Sequence, residues 1–248
     1  MYVNGYEQIT SELLHTVAAQ EKSSILTFAP LVKLDEQQEW ENYAYDYFEN
    51  VAMFPKDTGV SPDFGKGIWS VEVVNGTVKR KHETSGTVDG MDKNWPFLFP
   101  AMQLTGGPLP VLLFSLRYGV ERAKAIDSTI ECSLRKERGG SEEEEEENNC
   151  GSATDMLSIV GLETRGPASV FYEPIFPRHV NDNDYNINQT NVTASKFVGI
   201  IATALLLDET LDNVFSDRIR GVDAVYTTSH NGDKSFTFKI VDGIAVPK

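Results

Sequence analysis

A chain of 248 residues with 40% hydrophobic and 24% charged side chains has enough apolar material for a core of its own, which excludes a wholly disordered protein. Its formal net charge of -15 excludes a nucleic-acid binder, because holding phosphates takes clustered Lys and Arg, and it disfavours anionic membrane surfaces. The one dense basic run, Lys79-Arg80-Lys81-His82, is too short to reverse that balance.

In chain order, Ile9, Leu13 and Val17 recur every four residues with Leu14 beside them, which predicts a helix over 1–24. Ser23-Ser24 ends it, and Ile25-Leu26-Thr27-Phe28 reads as a strand. Over 35–54, Trp40, Tyr43, Ala44, Tyr47, Phe48 and Val51 predict a second helix, capped by Asp35 and stopped by Pro55. From Gly67 the period changes to two. Ile68-Trp69-Ser70-Val71-Glu72-Val73-Val74, then Asn75-Gly76, then Thr77-Val78 predicts a hairpin, since Asn-Gly adopts the positive φ angles of a type I′ turn. The apolar, proline-punctuated segment Trp95-Pro96-Phe97-Leu98-Phe99-Pro100 follows, and then a helix over 120–134.

Residues 141–149 contain six consecutive glutamates, which repel one another and have no apolar anchor, so a disordered acidic insertion is expected over 141–151. The last third is rich in strands. One covers 169–176, and a second, 197–207, is apolar at consecutive positions and therefore central in its sheet. Asp208 opens a short helix, and 222–226 and 236–240 supply two more strands around the turn His230-Asn231-Gly232-Asp233. Helices mixed with antiparallel hairpins give an α+β fold. The longest apolar run, eleven residues over 197–207, falls short of the ~20 that cross a bilayer, and 1–22 is polar with no signal-peptide core.

Chemistry-bearing motifs fail position by position. The stretch from Gly59 to Gly65 has five intervening residues where a phosphate-binding loop has four, and Gly67 follows Lys66 where Ser or Thr is needed. His15, His82, His179 and His230 are scattered, with no paired spacing for zinc. Asp182-Asn183-Asp184-Tyr185-Asn186 starts like a calcium loop, but Ile187 stands where Gly is required and Thr193 where Glu closes the site. No catalytic residue, metal or cofactor is therefore expected. Asn75-Gly76-Thr77, Asn188-Gln189-Thr190 and Asn191-Val192-Thr193 are N-glycosylation sequons, which make Asn75, Asn188 and Asn191 candidate glycan sites. Cys132 and Cys150 flank a polar loop; a disulfide closing it and a pair of free thiols both fit.

Several segments, taken in order, resemble a known family. Thr27-Phe28-Ala29-Pro30-Leu31-Val32 and Trp40-Glu41-Asn42-Tyr43-Ala44 come first, then Gly67-Ile68-Trp69 and Trp95-Pro96 through Gln103. Tyr172-Glu173-Pro174-Ile175-Phe176, Val198-Gly199-Ile200-Ile201, Leu211-Asp212-Asn213-Val214-Phe215, Arg220-Gly221-Val222-Asp223-Ala224-Val225-Tyr226 and Phe236-Thr237-Phe238-Lys239-Ile240 follow. This order resembles the extracellular, CHASE-like sensor region of algal and diatom receptor-type guanylate/adenylate cyclases.

The resemblance implies a long N-terminal helix (1–24) and two PAS-like subdomains with antiparallel sheets, at 25–140 and 152–248, separated by the acidic insertion. It implies a non-catalytic, ligand-sensing domain on the extracellular side of a membrane, binding an unknown small molecule and dimerising through the N-terminal helix. Trp95, Phe97, Gln103, Tyr172 and Glu173 are the candidate ligand-contacting residues; for Trp95, Phe97 and Tyr172 the alternative is plain core. Two rival functions are a secreted or surface interaction protein without a small ligand, and a hydrolase using dispersed carboxylates.

Overall fold

The computed structural model describes residues 24–50, 67–75, 77–92, 94–105, 112–137, 150–157, 167–175, 197–211, 214, 216, 218, 220–228 and 234–248. The first half runs β1 (Ser24–Pro30), β2 (Val32–Lys33), α1 (Gln37–Asn50), β3 (Trp69–Val74), β4 (Thr77–His82), β5 (Phe97–Leu98), β6 (Gln103–Thr105) and α2 (Val120–Glu137). The second half runs β7 (Ser152–Ala153), β8 (Ala168–Ile175), β9 (Gly199–Leu206), α3 (Leu207–Leu211), β10 (Arg220–Thr228), β11 (Lys234–Val241) and β12 (Ile244–Pro247).

Strands dominate, and they form small antiparallel sheets. The largest has five strands in the order β6-β1-β9-β8-β7. Strand β9 lies at its centre, as expected for a segment apolar on both faces: Ile200, Ala202, Ala204 and Leu206 are buried on one face, while Ile201, Thr203 and Leu205 are half-buried on the other. Helix α2 packs across β7 and β8 on the first of these faces. Its Ala123, Ile126 and Ile130 recur at helical spacing and are buried. The Thr129 hydroxyl donates to Ser152 Oγ at 2.7 Å, and Ser152 in turn donates to the Ala125 carbonyl at 2.6 Å.

The sheet overturns the expected architecture. An α+β chain of two PAS-like subdomains would give each half its own sheet, but β1 and β6 hydrogen-bond into the same sheet as β7, β8 and β9. Thr27 of β1, for example, pairs with Ala202 of β9. A period-two pattern marks a strand without naming its partner, so the division at the acidic tract did not predict the pairing. The expected helix over 1–24 and the dimer contact through it, like the acidic tract over 141–149, lie outside the described residues.

Three smaller sheets complete the chain. The β3–β4 hairpin turns at Asn75 with φ 52°, which Asn tolerates better than other side chains. A two-stranded β2–β5 pair sits beside α1. At the C-terminus β10-β11-β12 form a sheet whose inner face, with Phe238, Ile240 and Ala245, buries Leu207 and Leu211 of α3. Asp242-Gly243, with φ 52° and 81°, makes the tight turn from β11 to β12. Among the described residues no helix is long and apolar enough to cross a membrane.

Candidate functional site

The five candidate ligand residues do not converge. Gln103 is on β6 and Tyr172 and Glu173 are on β8, three strand spacings apart, roughly 14 Å at ~4.8 Å each. Successive residues of a strand face opposite ways, so Tyr172 and Glu173 point to different faces of the sheet. Tyr172 is fully buried at 0% exposure. Glu173 is exposed, and its carboxylate lies against the Cα of Gly151.

Trp95 and Phe97 do meet, stacked with centroids 5.2 Å apart, and Phe97 continues edge-on to Phe99 at 5.5 Å and Phe99 to Phe197 at 5.9 Å. Phe97 and Phe99 are buried, so this aromatic row is core. Trp95 is half-buried and its indole N–H donates to Asp127 Oδ1 at 2.9 Å. The same carboxylate takes a fork from Arg117, Nε to Oδ1 at 2.8 Å and Nη2 to Oδ2 at 2.9 Å. Arg117 Nη1 donates to the Gly86 carbonyl at 2.6 Å. Gly86 has φ +59°, and a Cβ there would come within 2.6 Å of the Trp95 carbonyl oxygen, so the loop closes on Arg117 only with glycine. A buried pair this fully hydrogen-bonded compensates its own desolvation.

A second polar cluster fastens α1 to the β3–β4 hairpin, joining Gln37 and Glu41 to Ile68, His82 and Glu83, which lie too far off in sequence to be linked by spacing. Glu41, buried, accepts at Oε1 from Gln37 Nε2 at 2.6 Å, from the Ile68 amide at 2.9 Å and from His82 Nε2 at 2.9 Å. The second N–H of Gln37 goes to the Glu83 carbonyl at 2.7 Å. With both amide hydrogens used, the 3.4 Å approach of Gln37 Nε2 to His82 Nε2 is a packing contact, and the His82 proton on Nε2 faces Glu41. Glu83 itself accepts from Ser70 Oγ at 2.8 Å. A carboxylate behind a half-exposed imidazole is the geometry that orients a general base. Ser70, however, is completely buried and donates to Glu83, so this serine is not a nucleophile for His82.

Cys132, near the end of α2, and Cys150, just before β7, form a disulfide with S–S 2.07 Å and Cα–Cα 5.4 Å. Among the described residues two buried polar atoms have no hydrogen-bond partner: Asp155 Oδ2 and the Tyr172 hydroxyl. Burial pushes the Tyr172 hydroxyl well above the ordinary tyrosine range, and the charge of Arg122 pulls weakly the other way. Among the described residues no three His, Cys, Asp or Glu side chains gather as a metal site. Asn75 is exposed at the hairpin tip, whereas Asn188 and Asn191 lie outside the described residues.

The outer face of the C-terminal sheet was not anticipated. Val225 (59% exposed), Val241, Ile244 (58%) and Val246 stand there in water, beside Asp223 and Lys239. The sequence signal was present in the alternation of 222–226, but periodicity does not say whether the second face is covered. The chain matches no protein-family model and no curated protein.

Proposed function

We propose that this chain is a non-catalytic, ligand-sensing domain on the extracytoplasmic side of a membrane receptor, of the kind that precedes a nucleotide cyclase. The observation that carries the reading is the Cys132–Cys150 disulfide, because disulfides persist in oxidising compartments and are rare in the cytosol. The segments that carry the family resemblance supply core side chains here: Trp40, Trp69, Tyr172, Ile200, Phe238 and Ile240 are all buried. They bear on folding and leave the ligand open. Of the five candidate contacts, Glu173 is an exposed residue and Trp95 a half-buried one; Phe97 and Tyr172 are buried.

The test is topological. Intact cells that make the protein are treated with a membrane-impermeant amine reagent, which should label the exposed Lys79 and Lys81. Labelling only after lysis would overturn the extracytoplasmic reading. Sensing is tested on the purified chain by a thermal-shift screen of small metabolites, where a ligand at about 100 times its Kd adds ~2.7 kcal/mol.

A second reading, a surface interaction protein without a small ligand, is favoured by the exposed valine-rich face of β10–β12. A silent metabolite screen, together with a partner lost on Val225→Lys, would decide for it.

A further inference from the structure

We propose that Asn75 carries an N-linked glycan. The inference rests on the extracytoplasmic reading and adds a modified atom to it. Asn75-Gly76 is what a two-residue hairpin turn requires of the backbone, and the φ of 52° at Asn75 meets that requirement. The turn makes no demand on residue 77. Thr77 is nevertheless a threonine, exposed, opposite Val74 in the first pair of the hairpin, and it completes the acceptor triplet. Asn75 is exposed at the tip, and among the described residues no hydrogen bond holds its side-chain amide.

Val74, Asn75 and Thr77 are all exposed, so among the described residues the tip leaves room for an oligosaccharide. Val74, 36% exposed, lies directly under it and gains cover. The donor is an oligosaccharide activated as a lipid diphosphate. Asn75 Nδ2 forms a bond to the anomeric carbon of the sugar, the bond from that carbon to the diphosphate oxygen breaks, the lipid diphosphate leaves, and one amide proton passes to base.

The experiment uses the protein from the cells that make it, alkylated at lysis and digested for mass spectrometry, with and without peptide-N-glycosidase. The expected result is a glycan on the Asn75 peptide and, after the enzyme, aspartate at 75. Thr77→Val keeps Asn75, the turn and a strand-forming residue but removes the acceptor triplet; it should lose the glycan while the protein still folds. Thr77→Ser should keep it. A disulfide-bonded protein, labelled from outside the cell, with an unmodified Asn75 overturns the glycan and leaves the extracytoplasmic reading standing. Free thiols at Cys132 and Cys150 in a protein labelled only after lysis overturn both.

Discussion

Trp95 and Asp127 are joined by a 2.9 Å hydrogen bond from the indole N–H to the carboxylate, which ties the indole to α2. Asp127 simultaneously neutralises the buried Arg117. Removing it leaves an uncompensated buried guanidinium, which costs roughly 3–5 kcal/mol. Asp127→Ala should therefore lower the urea midpoint severely. Trp95→Phe forfeits one hydrogen bond to a charged group, about 1.5–3 kcal/mol, and should remain folded. Equal losses in the two variants would show that the Arg117–Asp127 pair contributes nothing of its own.

Tyr172→Phe should stabilise the protein. Its hydroxyl is buried without a partner, a penalty of ~1–3 kcal/mol that phenylalanine avoids at nearly the same volume. The pH dependence follows from the raised ionisation of the folded tyrosine. Above about pH 10 the unfolded chain loses this proton while the folded chain keeps it. The folded state then binds more protons, so stability falls as pH rises. Below about pH 10 the contribution is complete; above it the loss approaches ~1.4 kcal/mol per pH unit. Urea unfolding at about pH 8 and about pH 11 should show this extra decline in the wild type and lack it in Tyr172→Phe.

The two faces of β9 should respond differently to charge. Ile200, at 0% exposure, sits in the main core, whereas Ile201 is half-buried beside Phe28 on the opposite face. Ile200→Asp puts a carboxylate where it finds no water, at a cost of several kcal/mol, comparable with the stability of a whole domain. It should give no soluble folded protein, while Ile201→Asp should fold with a lower Tm. A circular-dichroism melt of each variant decides the matter, and the reverse order would contradict the assignment of faces.

Replacing Cys132 and Cys150 together by serine should cost roughly 3 kcal/mol, the loop-closure value for a ring of this size, with a sequence separation of 18. The measurement is the urea midpoint of the double variant against the oxidised parent. A midpoint unchanged within error would mean that the ends of α2 and β7 are held together without the bond.

What could be read in the sequence was local. The Asn75-Gly76 hairpin, the helical spacing of Trp40 and Ala44, and the central position of an all-apolar strand each depend on residues a few positions apart. Asp242-Gly243 carries the same turn chemistry, so β12 was equally legible and was missed. The pairing of Phe28 with Ile201 was not legible, because it joins distant parts of the chain through backbone hydrogen bonds that no side-chain pattern encodes. The Glu41–His82 and Arg117–Asp127 contacts fail for the same reason. A lone acid and a lone base in sequence become a pair only once the segments that carry them are docked. The choice between Ile200 and Ile201 was hidden by the very feature that identified β9, since a strand apolar on both faces does not declare which face is deeper.

The Cys132–Cys150 bond also decides what a broken chain would look like. It straddles residues 133–149, so a protease cut anywhere in that stretch severs the backbone without releasing either piece. The two fragments would stay linked by sulfur and would share one sheet, β1 and β6 from the first piece hydrogen-bonded beside β7, β8 and β9 from the second. Such a nicked molecule would run as a single band without reductant and as two with it, a two-chain form of the same fold.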